Sequence, residues 1–216
     1  MFWGAAAFNG HISKWDVTKV TTMNYMFWQA TSFKQQLCRD GWVNSKASKI
    51  EMFKGSARTV CKVIASEAEL KIAVAACLMW YPAGDRPNGL DGPIGTWDVS
   101  RVTNMDEIFN SATSFNDDIS QWDVSSVTTM NAMFAGASLF NSDLSKWDVS
   151  RVVDMSAMFW GALAFNDDIS KWDVSGVTVM TSIFWDAASF NGIISNWDVL
   201  SVTTMTSMFN LSLIHI

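Results

Sequence analysis

Three aspartates, Asp118, Asp143 and Asp168, recur at 25-residue intervals. Carboxylates at one height on neighbouring parallel strands, about 4.8 Å apart, form a like-charge column that water, Lys146 and Lys171 or a bound cation must screen. Two readings follow: a solvated polar face, or a concave face that takes calcium or a basic protein segment. No other cofactor is expected. Trp160 and Trp185 form a second ladder, matched upstream by Trp3 and Trp28. Neighbouring exposed tryptophans make a platform for a protein or glycan ligand, and packing against the adjacent unit is the alternative. The three cysteines, Cys38, Cys61 and Cys77, would need a fourth ligand to hold zinc, and His11 and His215 are distant in sequence.

Catalysis has little to stand on. The chain has no Gly-rich phosphate loop, no His-x-x-x-His and no Ser/His pairing in a recognisable context. Asp98, Asp123, Asp148, Asp173 and Asp198 each follow a tryptophan, and an aspartate at that point is expected to accept from turn N–H groups. No enzymatic activity is expected. A net charge of −6 argues against nucleic acid, whose phosphates demand a basic face. It also disfavours anionic membrane surfaces. The longest apolar run, residues 72–81, is half of the roughly 20 residues that a membrane helix needs.

These residues sit on a repeat. Trp97, Trp122, Trp147, Trp172 and Trp197 are each 25 positions apart and begin the phrase Trp-Asp-Val, with a further copy at Trp15. Counted from the tryptophan, offsets 2 and 5 are Val, offset 8 is Met, offset 11 is Met or Ile, and offset 12 is Phe. Ala and a second Phe follow at 15 and 18, as in Ala137 and Phe140. The set at offsets 5, 8, 11, 12 and 15 returns every three or four residues, which predicts a short helix with one apolar stripe. Gly136 and Gly161 fall where that helix would be capped. Asn-Asp-Asp-Ile-Ser at 116–120 alternates polar and apolar and predicts a short strand with Ile119, Leu144, Ile169 or Ile194 inward. The predicted fold is an α/β repeat solenoid, leucine-rich-repeat-like, in which each unit pairs a short parallel strand with a short helix.

The phrase Phe-Asn-x-Asp-Ile-Ser-x-Trp-Asp-Val-Ser-x-Val-Thr-x-Met-x-x-Met-Phe resembles the repeat of BspA-like leucine-rich-repeat surface proteins, including the domain of unknown function first noticed in mycoplasma lipoproteins. The resemblance covers residues 1–37 and 94–210, with departures at Val153, Ile193 and Leu200. It implies a cell-surface or extracellular location. Arrays of this family end in a similar Leu-Cys, Met-Phe-x-Gly-Ser and second Cys, so residues 34–61 resemble a C-terminal cap, and a disulfide between Cys38 and Cys61 is the pairing that the resemblance favours over free thiols. Cys77 falls on an apolar helical stripe and is expected to be packed.

The organisation predicted on this basis is the end of one array with its cap over 1–61, a cap helix and Gly/Pro-rich loop over 62–96, and a repeat array of five units, the last incomplete, over 97–210. Ser66-Glu-Ala-Glu69 reads as a capping box opening that helix. Both ends resemble cuts: Met1 falls at the offset of a core Met, and residues 211–216 resemble a sequencing or cloning scar, a natural hydrophobic tail being the competing reading. The function expected of the whole is non-enzymatic surface recognition or adhesion through a repeated face that binds protein or glycan. A structural spacer in a larger surface protein is the alternative.

Overall fold

The computed structural model describes residues 1–12, 14–33, 37, 42, 45–56, 63–84 and 93–210. The chain divides into two compact units, Met1–Val63 with Arg86–Asp98, and Ile64–Asp85 with Val99–Ile216.

In the second unit the 25-residue repeat folds as five stacked coils made of turns. Single parallel bridges join Asn104 to Thr129, Thr129 to Asp154, Asp154 to Val179 and Val179 to Thr204. From each bridge onward, alternate backbone N–H groups leave the coil for the next one. Met105 donates to Thr129, Glu107 to Asn131, Phe109 to Met133 and Ser111 to Ala135, over 2.7–2.9 Å. The remaining donors close three-residue turns within a coil: Met133 to Met130, Ala135 to Ala132, Ala137 to Phe134 and Phe140 to Ala137, at 3.0–3.2 Å. Every second peptide therefore ties coils together while its neighbours shape the coil, which leaves few backbone donors idle.

This corrects the predicted α/β repeat solenoid. The α-helix α1 is Glu67–Trp80; among the described residues the repeats of the second unit contain none, and no sheet forms beyond isolated bridges. An α-helix sends each N–H to the carbonyl four residues back, whereas the coil bonds reach three residues back or cross to another coil. Two positive-φ positions per coil also forbid a helix: Ala132 at 51° and Gly136 at 68°, Ala157 at 53° and Gly161 at 65°, Ser182 and Asp186 both at 55°. Successive turns repeat every three residues and so turn the same side chains inward as a helical period would. Turns and helix therefore share one apolar pattern in the sequence. Asn-Asp-Asp-Ile-Ser forms no strand either, although Ile119 and Leu144 do point inward and are fully buried.

Two phenylalanine columns fill the coils. Phe109, Phe134, Phe159, Phe184 and Phe209 stack with centroids 5.4–5.8 Å apart and planes within 7°. Phe115, Phe140, Phe165 and Phe190 form the second column at 5.7–6.1 Å. Within a coil the columns touch, as Phe134 and Phe140 do at 4.0 Å. Val127, Met130, Met133, Val152, Met155 and Met158 surround them with no measurable exposure. The apolar stripe read from the sequence is thus core, carried by turns.

The first unit follows the same rule. Met23 donates to Ser48, Tyr25 to Ile50, Phe27 to Met52 and Gln29 to Lys54 at 2.7–3.0 Å, so the degenerate Met52-Phe53 stretch occupies a further coil. Phe2, Phe27 and Phe53 stack at 5.5 and 5.3 Å. Trp42, shifted by two residues from the repeat register, is completely buried.

The helix α1 begins at Ser66, whose hydroxyl accepts from the Glu69 N–H at 3.2 Å. The Glu69 carboxylate accepts from Ala65 N–H at 3.0 Å, one residue earlier than a reciprocal capping box requires. Leu70, Ala73, Val74 and Cys77 form its buried face. No helix among the described residues is long and apolar enough to cross a membrane. Cys38, Cys61, the suspected scar at 211–216 and most of the Gly/Pro-rich loop lie outside the described residues.

Candidate functional site

Asp118, Asp143 and Asp168 lie on the surface and are exposed. Each accepts through Oδ1 from the backbone N–H of the serine two residues on: Ser120 at 2.9 Å, Ser145 at 2.9 Å and Ser170 at 3.0 Å. The Ser145 hydroxyl adds a 2.6 Å bond to Asp143. These serine hydrogen bonds, side chain first and backbone second, hold the carboxyls of Asp143 and Asp168 below their ordinary range, with Lys146 and Lys171 adding smaller attractions. The column thus serves its own turns, with a lysine beside each of these two carboxylates. Among the described residues no three His, Cys, Asp or Glu side chains converge to hold a metal ion.

Asp123, Asp148, Asp173 and Asp198, which follow tryptophans, accept from turn groups as expected. Asp123, Asp148 and Asp173 each accept from both the N–H and the hydroxyl of the serine two residues on, at 3.1 and 2.6 Å. Asp198 keeps the backbone bond alone, to Leu200, because Leu has replaced the serine.

Two further sets of hydrogen bonds, one on a tryptophan column expected as a stacked structural rung, were not foreseen in the sequence. Asn116 Oδ1 accepts from Asn141 N–H, Asn141 Oδ1 from Asn166 N–H and Asn166 Oδ1 from Asn191 N–H, each at 2.8 Å. The repeat tryptophans form the other: the indole N–H of Trp147, Trp172 and Trp197 donates to the carbonyls of Ile119, Leu144 and Ile169 at 3.1–3.2 Å. The recurrence of Asn after Phe was the visible signal for the first. For the second, the signal was an invariant Trp, a donor that needs an acceptor when buried.

Trp160 and Trp185 are the sequence-selected pair that the structure does bring together. Both line a shallow open groove of about 210 Å³ with Asn110, Ser111, Ala135, Gly136, Gly161 and Asp186. Trp160 is 51% exposed and Trp185 half-buried. Ser111, Gly136, Gly161 and Asp186 hold positive φ values of 55–68°, so the floor is a row of left-handed turn corners in successive coils. Gly at two of them removes both the strain and the side chain, leaving the floor low between the tryptophan wall and Asn110. The backbone beneath is tied coil to coil: Ser111, Gly136 and Gly161 donate to the carbonyls of Ala135, Trp160 and Trp185 at 2.6–2.7 Å. At the polar end the Ser111 hydroxyl donates to Asn110 Oδ1 at 3.0 Å. Asp186 supplies the groove's formal charge. The upstream pair behaves differently, since Trp3 and Trp28 meet edge to face at 4.9 Å with Tyr25 5.6 Å from Trp3.

A stack of turn-built coils with an aromatic surface groove is the class that fold and site define. The chain belongs to the family described as "Mycoplasma protein of unknown function, DUF285", whose model matches residues 1–66, 85–177 and 164–213. No curated protein and no solved structure matches it.

Proposed function

We propose that this chain is a non-enzymatic recognition or adhesion module of a BspA-like surface protein, displayed at the cell surface or outside the cell. The carrying observation is the groove at Trp160 and Trp185: an indole half in solvent, beside a second one, on coils bonded to one another through their backbone. Large exposed aromatics are costly to leave wet and supply much of the energy where two molecules meet. A rigid platform also loses little entropy on binding. A net charge of −6 directs the reading toward protein or glycan ligands and away from nucleic acid. The repeat phrase shared with BspA-like proteins supports the location.

The test is binding of the purified chain to immobilised extracellular-matrix proteins and to a glycan array, with wild type beside a Trp160→Ala, Trp185→Ala double variant. Saturable binding that the double variant loses, at unchanged melting temperature, supports recognition. Binding to nothing, or equal binding by both, favours the structural-spacer reading.

A further inference from the structure

We propose that the Trp160–Trp185 groove binds a quaternary ammonium group of the choline or trimethyl-lysine kind that carries no phosphate. The inference rests on the recognition reading and specifies its ligand. The charge pattern is one-sided: the groove is lined by one carboxylate, Asp186, and by no lysine or arginine, on a chain of net charge −6. Two indoles line the groove with that carboxylate, and aromatic rings attract cations carried on methyl groups.

Hydrogen-bond accounting narrows the class. The carbonyls of Ala135, Trp160 and Trp185 each already accept one bond, from Ser111, Gly136 and Gly161, and Asn110 Oδ1 accepts one from the Ser111 hydroxyl, so the charged acceptor in the groove is Asp186. A primary ammonium brings three N–H donors and would find Asp186 as its main acceptor, while giving up a strong hydration shell. A quaternary ammonium has no N–H to satisfy. With its N–H groups bonded coil to coil, the floor also offers no free donor edge for an extended peptide to pair with. A phosphate at the far end of the two-carbon arm, as in a phospholipid headgroup, would meet Asp186 with no cation to balance it.

The test is titration of choline chloride into the whole chain, followed by saturation-transfer NMR and calorimetry, against phosphocholine, ammonium, glucose and phosphatidylcholine vesicles. Choline is expected to bind saturably and more tightly than the other probes. Asp186→Asn removes the charge, and Asn tolerates the left-handed backbone there, with φ at 55°. It should weaken choline at least about tenfold, as should Trp160→Ala. If Trp160→Ala does not fold, Asp186→Asn decides alone. Absence of choline binding, equal binding by Asp186→Asn, or preference for glucose, phosphocholine or vesicles overturns the proposal. If choline fails while the tryptophan double variant still loses a matrix or glycan ligand, the recognition reading stands and this ligand class falls.

Discussion

The indole N–H of Trp172 donates to the carbonyl of Leu144, 28 residues earlier and 3.1 Å away. Trp172 is 4% exposed and Leu144 is fully buried, so the bond closes a polar pair inside the stack. Trp172→Phe keeps an aromatic ring and removes the donor. The Leu144 carbonyl then loses its indole partner in an apolar setting, at a cost of about 1–3 kcal/mol. Urea denaturation should show that loss, and a midpoint equal to wild type would mean that the rung packs without needing its hydrogen bond.

Phe134 sits between Phe109 at 5.4 Å and Phe159 at 5.6 Å and is fully buried. Phe134→Ala opens a gap in a continuous column, and Met130→Ala removes a buried neighbour, each costing about 2–5 kcal/mol. The same exchange at the exposed Leu139 should cost far less. Thermal melts that fail to separate Phe134→Ala from Leu139→Ala would contradict the column.

What the sequence revealed here was register, and what it concealed was backbone conformation. Phe134, Met130 and Val127 were identifiable as core because they recur in every copy, and a core position is inward-facing whatever curve the chain takes. The curve itself depends on Ala132, Ala157 and Ser182 adopting positive φ, a choice that alanine and serine do not advertise. Only Gly136 and Gly161 hinted at left-handed corners, and a glycine after an apolar stripe equally suggests a helix cap. At the candidate site, Trp160 and Trp185 were legible by their shared offset. Asp186 was not, because it falls at a corner where the two preceding units carry glycine.

Those corners give a paired prediction. Ala132 holds φ at 51° and Gly136 holds 68° in the same coil. A residue with a Cβ in the left-handed region is strained by about 1–2 kcal/mol. Ala132→Gly relieves that strain but loosens the unfolded chain, so stability should rise by about 1 kcal/mol or less. Gly136→Ala adds strain without a clash, since its Cβ would meet Ser111 no closer than 3.6 Å, and stability should fall by about 1 kcal/mol. Opposite signs in differential scanning calorimetry check the backbone assignment; a helical repeat would reverse the sign at Ala132, where glycine would then cost stability.

Acid should loosen the coils through their turn aspartates. The carboxyls of Asp143, Asp148, Asp168 and Asp173 lie below their ordinary value of 3.8, chiefly because serine hydroxyls donate to them and next because serine N–H groups do. A folded value below the unfolded one means that folding favours the deprotonated form. The stabilisation is therefore complete above 3.8 and is lost as pH falls through the lower, folded values. These groups are exposed, so each contributes little, and the signal lies in four repeating together. Stability followed by urea denaturation should hold steady from about pH 7 to about pH 5 and decline below about pH 4. Replacing Ser145, Ser150, Ser170 and Ser175 together with Ala removes the largest cause while leaving the backbone donors in place. That variant should be less stable at neutral pH and show a shallower acid decline. An acid limb as steep as that of wild type would assign the pH dependence to other carboxylates and leave the serine hydroxyls without a part in it.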